Sequence, residues 1–431
     1  MPGILLKNMR LVDEHSVQSG DLLIRDGRIA QIASGIPEGE AEQVIDGQGR
    51  LCVCPGLFDM HVHFRDPGFT YKEDIRTGAQ AALAGGFTGV ACMPNTRPQI
   101  DAPGTVRYII EKAASTGVEV HPVGCITKGL SGEELCDYGA LKAAGVVGIS
   151  DDGKPVKNAE MLRRALALSR ENGLLVISHC EDMDIIGDGI MHKGKISEAL
   201  GVPGMDRASE DSITAREIAI ANTENARIHI AHVSTKGSVE LIRDAKRRGV
   251  QVSCETCPHY FTYTDEKLLG RDADYRMNPP LREESDRLAV LEGVLDGTID
   301  CIVTDHAPHS PEEKLDFMTA PNGVVGLETS LAVTLTRLYH TGLLSLPRIA
   351  ALMSANPRRL LGLPPRTLVP GSAAELTVFD PEEEWTVEPE RLLSKSKNSV
   401  FKGERLKGRA VATVTGDVLR YSAQGRGAGK E

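Results

Sequence analysis

Two histidines one residue apart, His61 and His63, stand at the end of an apolar run that begins at Gly56. Alternate residues of a β-strand point to the same face, so the two imidazoles can bind one metal ion together. Arg65 continues on that face and can meet an anion beside the metal. An isolated His-x-His pair can equally face solvent at the mouth of a strand, so the rest of the chain must decide between the two interpretations.

The chain has 431 residues, of which 41% are hydrophobic and 25% are charged, and its net charge is -11. This composition is typical of a globular enzyme, and the acidic balance argues against nucleic acid as a partner. We find neither a signal peptide nor an apolar run near the ~20 residues of a membrane span, which predicts a cytoplasmic enzyme without a membrane partner. The nine scattered cysteines predict reduced thiols, and a metal or redox role for Cys254 and Cys257 lacks a second pair.

Apolar strands alternate with helical stretches from about Leu51 to Val303, and this alternation predicts parallel β/α units. Eight strands can be counted, which predicts an α/β fold with a closed (β/α)8 barrel, the TIM barrel. The predicted strands are Leu51–Phe64, Gly89–Pro94, Val118–Ile126, Val146–Asp151, Leu174–His179, Arg227–Val233, Gln251–Glu255 and Cys301–Thr304. Gly326–His340 and Pro347–Leu361 are predicted as helices that close the barrel.

Short strands separated by turns precede and follow the barrel. They are predicted at Ile4–Lys7, Asp21–Arg25, Ile29–Ile32, Gln43–Asp46, Ala374–Phe379, Trp385–Val387 and Ala410–Thr415. We expect both ends of the chain to form one small composite β-sandwich domain. The predicted division is residues 1–52 for its first part, 53–363 for the catalytic barrel with its closing helices, and 364–431 for its second part, with fraying expected over 422–431.

Polar residues follow most of the predicted barrel strands, at the end where a barrel enzyme carries its active site. They are His61, His63 and Arg65 after the first strand, Asn95 after the second, Asp151 and Asp152 after the fourth, His179 after the fifth, His232 after the sixth, and Asp305 and His309 after the eighth. Four histidines with two or more aspartates exceed the needs of one tetrahedral ion, which suggests two ions ~3.5–4 Å apart.

One of Asp151 and Asp152 should bridge the two ions, because consecutive strand residues point to opposite faces. Taken singly, His179 and His232 could instead be hydrogen-bonded core residues. The remaining histidines that lack evident partners are given no role. They are His15, His121, His192, His229 and His340.

A series of motifs runs through nearly the whole chain. They are His61–Gly68, Met93–Thr96, Ser150–Lys154, His179–Asp182, His232–Thr235, Cys254–His259, Met277–Arg282 and Thr304–His309. In this order they resemble bacterial dihydroorotases, in particular the type I branch of the amidohydrolase superfamily. Many members of the superfamily carry a carboxylated lysine at the end of the fourth strand; no lysine stands there in this sequence, which favours the dihydroorotase branch over hydantoinases and allantoinases.

The resemblance implies a role for each matching residue. His61 and His63 match the ligands of the first metal, His179 and His232 those of the second, and Asp152 the bridging carboxylate. Asp305 matches a ligand of the first metal that is also the catalytic general acid/base. The implied substrate contacts are His63, Arg65, Asn95, Asn278, His309, Asn322 and Gly323. Two divalent ions per subunit are expected, and zinc is the expected metal. The same ligands also accept manganese or cobalt.

The activity that the resemblance implies is the reversible cyclisation of N-carbamoyl-L-aspartate to L-dihydroorotate with loss of water, the third step of pyrimidine synthesis. A hydroxide activated by the two ions would attack the ring carbonyl in the reverse direction. Residues 310–323 are predicted to form an exposed loop that covers the barrel mouth as a lid. Within the lid, Asn322 stands where relatives commonly have an apolar or aromatic residue. Outside the lid, Tyr260 follows His259 at a position where a second histidine is common.

Two other functions are open at this point. A dihydropyrimidinase or hydantoinase would act on a neutral ring, which gives Arg65 no partner. A non-catalytic structural partner of aspartate transcarbamoylase would be indicated by a lost metal ligand, but all six ligand positions are present. A complex with the transcarbamoylase and a homo-oligomer are further expectations.

Overall fold

The computed structural model describes residues 3–423, in which strands and helices alternate over most of the chain. The strands within this range are β1 Ile4–Val12, β2 Val17–Arg25, β3 Arg28–Ala33, β4 Gln43–Asp46, β5 Cys52–Pro55, β6 Leu57–Val62, β7 Phe87–Cys92, β8 Glu119–Cys125, β9 Gly148–Ser150, β10 Leu175–Ser178, β11 Met191–His192, β12 Gly204–Met205, β13 Ile228–Ile230, β14 Val252–Thr256, β15 Cys301–Ile302, β16 Glu375–Thr386, β17 Arg405–Thr415 and β18 Val418–Ser422.

The α-helices in the same range mostly lie between barrel strands. They are α1 Ile75–Gly85, α2 Pro103–Ala113, α3 Tyr138–Ala144, α4 Ala159–Asn172, α5 Met183–Ile186, α6 Lys195–Leu200, α7 Ala208–Glu224, α8 Lys236–Arg247, α9 Pro258–Thr262, α10 Glu284–Asp296, α11 Ser330–Thr334, α12 Leu346–Ala350 and α13 Asn356–Leu360. π-Helical turns at Leu335–Tyr339 and Ala351–Ala355 extend α11 and join α12 to α13. These segments correspond to the two predicted closing helices.

Eight parallel strands form the predicted barrel. Their order in the sheet follows the chain, β6-β7-β8-β9-β10-β13-β14-β15, and a parallel bridge between Val62 and His306 joins its two edges. The prediction of a closed (β/α)8 barrel is therefore confirmed. Because all strands run the same way, their carboxyl ends meet at one mouth, where the polar residues of the motifs gather.

Strands from both ends of the chain form the second sheet, as predicted. Its order is β18-β17-β16-β5-β1-β2-β3, with β4 paired to β1. The predicted single strand at 51–64 is two strands, since β5 pairs with β1 and β16 whereas β6 enters the barrel. Gly56 separates them in a space too small for a side chain, because a Cβ there would lie 2.0 Å from Oγ1 of Thr88.

The predicted division at residues 52 and 53 thus cuts β5, which belongs to the second sheet; the domain limits themselves stay a prediction. β16 is one strand where two were predicted, and its register with β17 shifts between Asp380 and Glu384. β18 was not predicted, and it includes Ser422 of the tail that was expected to fray. The rest of that expectation, from residue 424 onward, lies outside the described residues.

The nine cysteines are free and buried, in agreement with the prediction of reduced thiols. Among residues 3–423, no helix combines the length and the apolar character needed to cross a membrane.

Candidate active site

A cavity of about 220 Å³ opens at the mouth of the barrel and brings together almost every predicted site residue. Its lining consists of His63, Arg65, Asn95, Asp152, Gly153, His179, His232, Asn278, Asp305, Ala307, His309, Asn322 and Gly323. His61 lies directly behind this lining and is completely buried. Two larger clefts, of 370 and 620 Å³, lie against the second sheet, and neither is lined by a predicted site residue.

Asp152 lies at the centre of the four predicted histidine ligands. Its Oδ1 is 3.3 Å from Nδ1 of His179, 3.5 Å from Nε2 of His61 and 3.7 Å from Nε2 of His232. Its Oδ2 is 3.6 Å from Nε2 of His63. Ligand atoms around a tetrahedral zinc ion, with bonds of roughly 2.0–2.2 Å, lie about 3.3–3.6 Å apart. The separations around Asp152 therefore match those of a bridging carboxylate.

The other candidate ligand groups are tightly clustered as well. Oδ1 of Asp305 is 3.0 Å from Nε2 of His63 and 3.6 Å from Nε2 of His61. Nδ1 of His179 and Nε2 of His232 are 2.8 Å apart. Buried Nε2 of His61 and Oδ1 of Asp152 have no hydrogen-bond partner within residues 3–423.

Outer partners decide which nitrogen of each imidazole faces the cavity. Glu255 lies 2.5 Å from Nδ1 of His61, and Glu181 lies 2.5 Å from Nε2 of His179. Carboxylates only accept hydrogen bonds, so both histidines must donate these N–H groups outward. The opposite nitrogens then direct lone pairs at Asp152.

Asn95 likewise decides which ring nitrogen of His63 faces the cavity. Its Nδ2 donates to Oδ2 of Asp152 at 3.3 Å, so its Oδ1 is turned to accept the Nδ1–H of His63 at 2.8 Å. Both ends of the Asn95 amide are thus engaged with predicted metal ligands. Its predicted contact with the substrate stays a prediction and would use the second hydrogen of Nδ2.

Lone pairs and carboxylates that face one another repel unless positive charge lies between them. Burial alone would lower the pKa of His61, but Glu255 and Asp152 raise it well above 6.5. The pKa of His179 is raised to about 10 in the same way, against burial, by Glu181 and Asp152. Burial would raise the pKa of Asp152, but the imidazoles of His179, His232 and His61 around it lower that pKa well below 3.8. Divalent cations would supply this positive charge, and the donor set fits them.

The choice between the two consecutive aspartates has a geometric answer. Asp151 points away from the cavity, and its Oδ1 accepts hydrogen bonds from the backbone N–H groups of Ile126 at 2.8 Å and Thr127 at 3.1 Å. Its Oδ2 accepts from the Thr127 hydroxyl. Burial raises the pKa of Asp151 to about 6. Asp151 therefore joins the ends of β8 and β9, while Asp152 faces the histidines.

Backbone conformation aims several of these side chains. Arg65, His232 and Asp305 have left-handed φ angles of 59°, 33° and 48°, a conformation that costs free energy outside glycine. Glu210 holds the turn after His232, because its Oε1 accepts from the N–H groups of Ser234 at 2.9 Å and Thr235 at 3.1 Å. These strained positions sit where the side chains must leave their strands for the cavity.

Buried Asp59 of β6 ties the first and eighth strands together. Its Oδ1 accepts from the backbone N–H of His61 at 3.0 Å and its Oδ2 from that of Thr304 at 3.1 Å. Burial raises the pKa of Asp59 to about 7. The two candidate ligands His61 and Asp305 are thereby held at neighbouring strand ends.

Arg65 and His309 lie side by side at the edge of the cavity. Nη2 of Arg65 is 3.4 Å from Nε2 of His309, and its Nε donates to the carbonyl of Pro308 at 3.2 Å. Burial lowers the pKa of His309 to about 2, with the charges of Arg65 and Lys72 acting in the same direction. A neutral imidazole here leaves the half-buried Arg65 as the cation next to the predicted metal ligands.

Lys72 and Glu313 support this pair from outside. Nζ of Lys72 donates to Nδ1 of His309 at 3.1 Å and pairs with Glu313 at 2.8 Å. His309 therefore keeps its proton on Nε2 and donates it to the carbonyl of Asn322 at 2.9 Å. The contacts connect the loop after β6 to the loop after β15.

The predicted lid, residues 310–323, is only partly exposed. Leu315 is 82% exposed, but Phe317 is buried, and the carbonyl of Phe317 accepts from Nη1 of Arg276 at 2.7 Å. Gly323 donates its N–H to the carbonyl of Arg276 at 3.0 Å and has a φ of 145°. A Cβ at Gly323 would lie 2.6 Å from a backbone oxygen, so the glycine is needed where the lid enters the cavity.

Sequence reasoning missed the residues behind the ligands. Glu255 and Glu181 were given no role, and neither was His229, whose Nε2 contacts Glu255 at 3.1 Å. Glu255 ends the predicted seventh strand, and Glu181 follows His179 by two residues, so position relative to the ligands was the available signal. The other histidines that were given no role, His15, His121, His192 and His340, do not line the cavity.

Within residues 3–423, one further group of potential ligands lies outside the cavity, formed by His192, Glu283 and Asp286. Arg207 already pairs with both carboxylates, at 2.5 Å from Glu283 and 3.2 Å from Asp286. A guanidinium in this place supplies the positive charge, so the group is an ion-pair cluster.

Comparisons with solved structures agree with this geometry. The L-hydantoinase (dihydropyrimidinase) from Arthrobacter aurescens superposes with a TM-score of 0.87 at 27% identity, over 98% of this chain and 96% of that one. The dihydropyrimidinase from Brevibacillus agri shares the fold with a TM-score of 0.85 at 22% identity, over the same shares. Fold and site together are those of an amidohydrolase, an enzyme class with metal-binding barrels.

Comparisons of sequence are more specific. A family model described as dihydro-orotase-like matches residues 49–238. The dihydroorotase of Geobacter sp. (strain M21) is 51% identical over 424 residues, 97% of this chain and 99% of that protein. The dihydroorotase of Pelotomaculum thermopropionicum is 47% identical over 416 residues, 96% and 97% of the two chains. The chain belongs to the dihydroorotase family, whose members are hydrolases of cyclic amides.

Proposed function

We propose that the barrel-mouth cavity catalyses the reversible cyclisation of N-carbamoyl-L-aspartate to L-dihydroorotate. The observation that carries this choice is the guanidinium of Arg65, a half-buried side chain that lines the same cavity as Asp305 and most of the predicted metal ligands. Both compounds carry a carboxylate that the reaction leaves unchanged. The planar fork of arginine pairs with two carboxylate oxygens and so orients the reacting group toward Asp305.

The metal ligands in this proposal are His61 and His63 for one ion, His179 and His232 for the other, Asp152 between them, and Asp305 on the first. Two divalent ions, zinc by expectation, would polarise the amide carbonyl and lower the pKa of water. The separations around Asp152 and the outward N–H groups of the histidines support this assignment.

Asp305 is the proposed general acid/base. In ring opening it takes the proton of the attacking water and gives a proton to the nitrogen that leaves as the amide C–N bond breaks. In ring closure the same group removes the proton of the ureido nitrogen, and water is expelled. Asp305 is only 6% exposed, so the transferred proton stays within the cavity.

His309, Asn322 and Gly323 complete the proposed carboxylate site around Arg65. The Nε2–H of His309 donates to the Asn322 carbonyl in this structure and is close enough to Arg65 to turn to a carboxylate instead. The backbone of Gly323 would let the substrate approach closely, because it carries no side chain into the cavity. Asn278 and Asn95 are proposed to contact the ring and the carboxylate, respectively.

Two alternatives are tested against the same residues. A hydantoinase or dihydropyrimidinase function has support from the structural neighbours, but a neutral ring would offer the Arg65 guanidinium no carboxylate to pair with. A non-catalytic partner of aspartate transcarbamoylase needs no complete ligand set, and here all six positions converge. Association with that enzyme, a homo-oligomer and a cytoplasmic location remain separate proposals. Co-elution of this protein with purified aspartate transcarbamoylase at micromolar concentration tests the association, and clean separation of the two counts against it.

The test measures metal content and carbamoyl-aspartate cyclisation on the same purified sample. We expect about two equivalents of metal, and an activity that falls roughly 10²–10⁴-fold in Asp305→Asn, the range for a general acid/base. Asp417→Asn, in the exposed turn before β18, is the matched control and should behave as wild type. A metal-loaded wild type that hydrolyses a neutral hydantoin ring but not dihydroorotate would overturn the proposal in favour of the hydantoinase alternative.

A further inference from the structure

Glu181 is a buried carboxylate that touches both a predicted metal ligand and a predicted substrate contact. It is 2% exposed and follows His179 by two residues at the end of the fifth barrel strand. Its Oε2 lies 2.5 Å from Nε2 of His179 and also accepts a hydrogen bond from Nδ2 of Asn278. These two partners stand 99 residues apart in the chain, at positions 179 and 278.

We propose that Glu181 is a positioning residue that fixes His179 and Asn278 together, so that one carboxylate sets both a metal ligand and the ring contact of the substrate. This inference rests on the function proposed above and extends it. Both partners of Glu181 must turn an N–H group toward it, because a carboxylate accepts hydrogen bonds and donates none.

The first consequence concerns the imidazole. With Nε2–H committed to Glu181, the lone pair of His179 is on Nδ1, which lies 3.3 Å from Oδ1 of Asp152 and 2.8 Å from Nε2 of His232. His179 therefore presents a different ring nitrogen to the candidate metal position than His61 does, because Glu255 holds the Nδ1 of His61. Outer partners of this kind select the tautomer and the ring orientation of a ligand.

The second consequence concerns the amide. Asn278 must turn its NH₂ group to Glu181, and its Oδ1 then points away from that carboxylate. Oδ1 is buried and has no hydrogen-bond partner within residues 3–423, although Asn278 lines the cavity. We infer that Asn278 offers the substrate an acceptor, which suits an amide N–H of the dihydroorotate ring or of the ureido group. A carbonyl of the substrate would meet the wrong end of this amide.

The shared oxygen couples the two groups. Any shift of the Asn278 amide on substrate binding acts on the same Oε2 that holds His179, and the reverse also applies. In Glu181→Gln the side chain keeps one oxygen that can accept a hydrogen bond from either His179 or Asn278. Its NH₂ group would then face the N–H donor of the other residue. We therefore expect the variant to lose the orientation of both partners at once, with most of the fold unchanged.

The experiment uses Glu181→Gln, Asn278→Ala and the double variant of the full chain. Competition with a zinc chelator measures the affinity for the second equivalent of zinc, and steady-state cyclisation measures KM and kcat. We expect the second zinc to bind roughly 10–100-fold more weakly in Glu181→Gln, the usual effect of removing an outer partner of a metal ligand. Asn278→Ala should raise KM and leave zinc affinity nearly unchanged.

The double variant separates positioning from general structural damage. If Glu181 acts on the substrate through Asn278, Glu181→Gln raises KM in the wild type but adds little to KM in the Asn278→Ala background, while it still weakens zinc binding. Glu217→Gln is the matched control, since Glu217 is also a buried carboxylate, 1% exposed, and contacts Arg216 instead of the site. It should keep the zinc affinity and KM of the wild type.

Unchanged zinc affinity and KM in Glu181→Gln would overturn the inference, and an equal rise of KM in both backgrounds would overturn its coupling. If Glu181→Gln does not fold, Asn278→Asp replaces it. A second carboxylate beside Glu181 should raise KM as it ionises and weaken zinc binding, and the absence of both effects would contradict the inference. A wild type that binds zinc but fails to cyclise carbamoyl-aspartate would defeat only the proposed function, because the zinc titrations still report on His179.

Discussion

Two halves of the barrel-mouth cavity are built in different ways. The metal half, formed by His61, His63, Asp152, His179, His232 and Asp305, comes from the ends of barrel strands, and each of its members is almost fully buried. The anion half, formed by Arg65, His309, Asn322 and Gly323, comes from the loops after β6 and β15. Its support reaches the surface through Lys72, whose side chain is 12% exposed, and Glu313, at 27%.

The difference shows how rigidity is distributed over one site. In the metal half, outer partners that are themselves buried hold the ligands, with Glu255 and Glu181 as examples. In the anion half, hydrogen bonds between the loops after β6 and β15 do so, and they would open if either loop moved. We therefore expect changes in the metal half to appear as lost metal, and changes in the anion half as a raised KM.

The largest effect is expected for Asp152→Asn. The substitution removes the charge that four imidazoles share and places an NH₂ group among their lone pairs, so both candidate metal positions lose a ligand. Metal content should fall well below that of the wild type, and activity should fall by more than the roughly 10²–10⁴-fold that a general acid/base is worth. Elemental analysis and cyclisation on one sample check this.

Asp151→Asn is the matched control for that experiment, since Asp151 neighbours Asp152 but faces the backbone of Ile126 and Thr127. It should lower the free energy of unfolding by about 1–3 kcal/mol through one mispaired buried group and retain the metal. If Asp151→Asn lost metal while Asp152→Asn kept it, the assignment of the bridge would be reversed.

Arg65→Met should act on the anion half alone. Losing one partner of a buried charge pair costs roughly 2–5 kcal/mol, which predicts a fall in kcat/KM for carbamoyl-aspartate of about 10²-fold, mostly in KM. N-carbamoyl-β-alanine, which lacks the carboxylate that Arg65 is proposed to bind, is the control substrate. Its turnover should change little, so that the variant loses discrimination between the two. An equal loss with both substrates would assign Arg65 to the metal half instead.

Glu255→Gln should affect the metal half alone, and it should weaken metal binding less than Asp152→Asn does. The amide can still accept from Nδ1 of His61 but carries no charge, and outer partners of this kind are worth roughly 10–100-fold in metal affinity. His229→Gln leaves Glu255 in place and should cost less than Glu255→Gln. Zinc affinity measured with a chelator tests both variants, and a raised KM at full metal occupancy would contradict the division into halves.

The same division separates what the sequence could predict from what it could not. The metal ligands were predictable because each follows a strand whose apolar pattern is clear, and parallel strand ends must meet at one mouth. Glu255 and His229 lie on predicted strands, but the contact of Glu255 with His61 and that of His229 with Glu255 depend on which strands are neighbours and on side-chain rotation across the barrel. No local pattern encodes that contact.

The ends of elements were less predictable for a related reason. β5 and β6 form one apolar run, and Gly56, which Thr88 approaches too closely for a side chain, marks the point where the run passes from one sheet to the other. The lid was predicted as exposed from its prolines and charges, yet Phe317 is buried by a contact with the distant Arg276. Both differences come from contacts between segments far apart in the chain, which single-sequence patterns do not contain.

The smallest effect is expected for Lys72→Met, which tests how the anion half is held. Lys72 keeps the proton of His309 on Nε2 and connects it to Glu313, but it is partly exposed, where ion pairs are worth about 0.2–1 kcal/mol. We expect a rise in KM of less than about tenfold, unchanged zinc affinity, and a weaker dependence of KM on salt, since one cation near the substrate is removed. Lys128→Met, at an exposed ion pair with Glu134, is the control. Loss of zinc in Lys72→Met would show that the two halves are not independent, because no contact of Lys72 in this structure reaches a metal ligand directly.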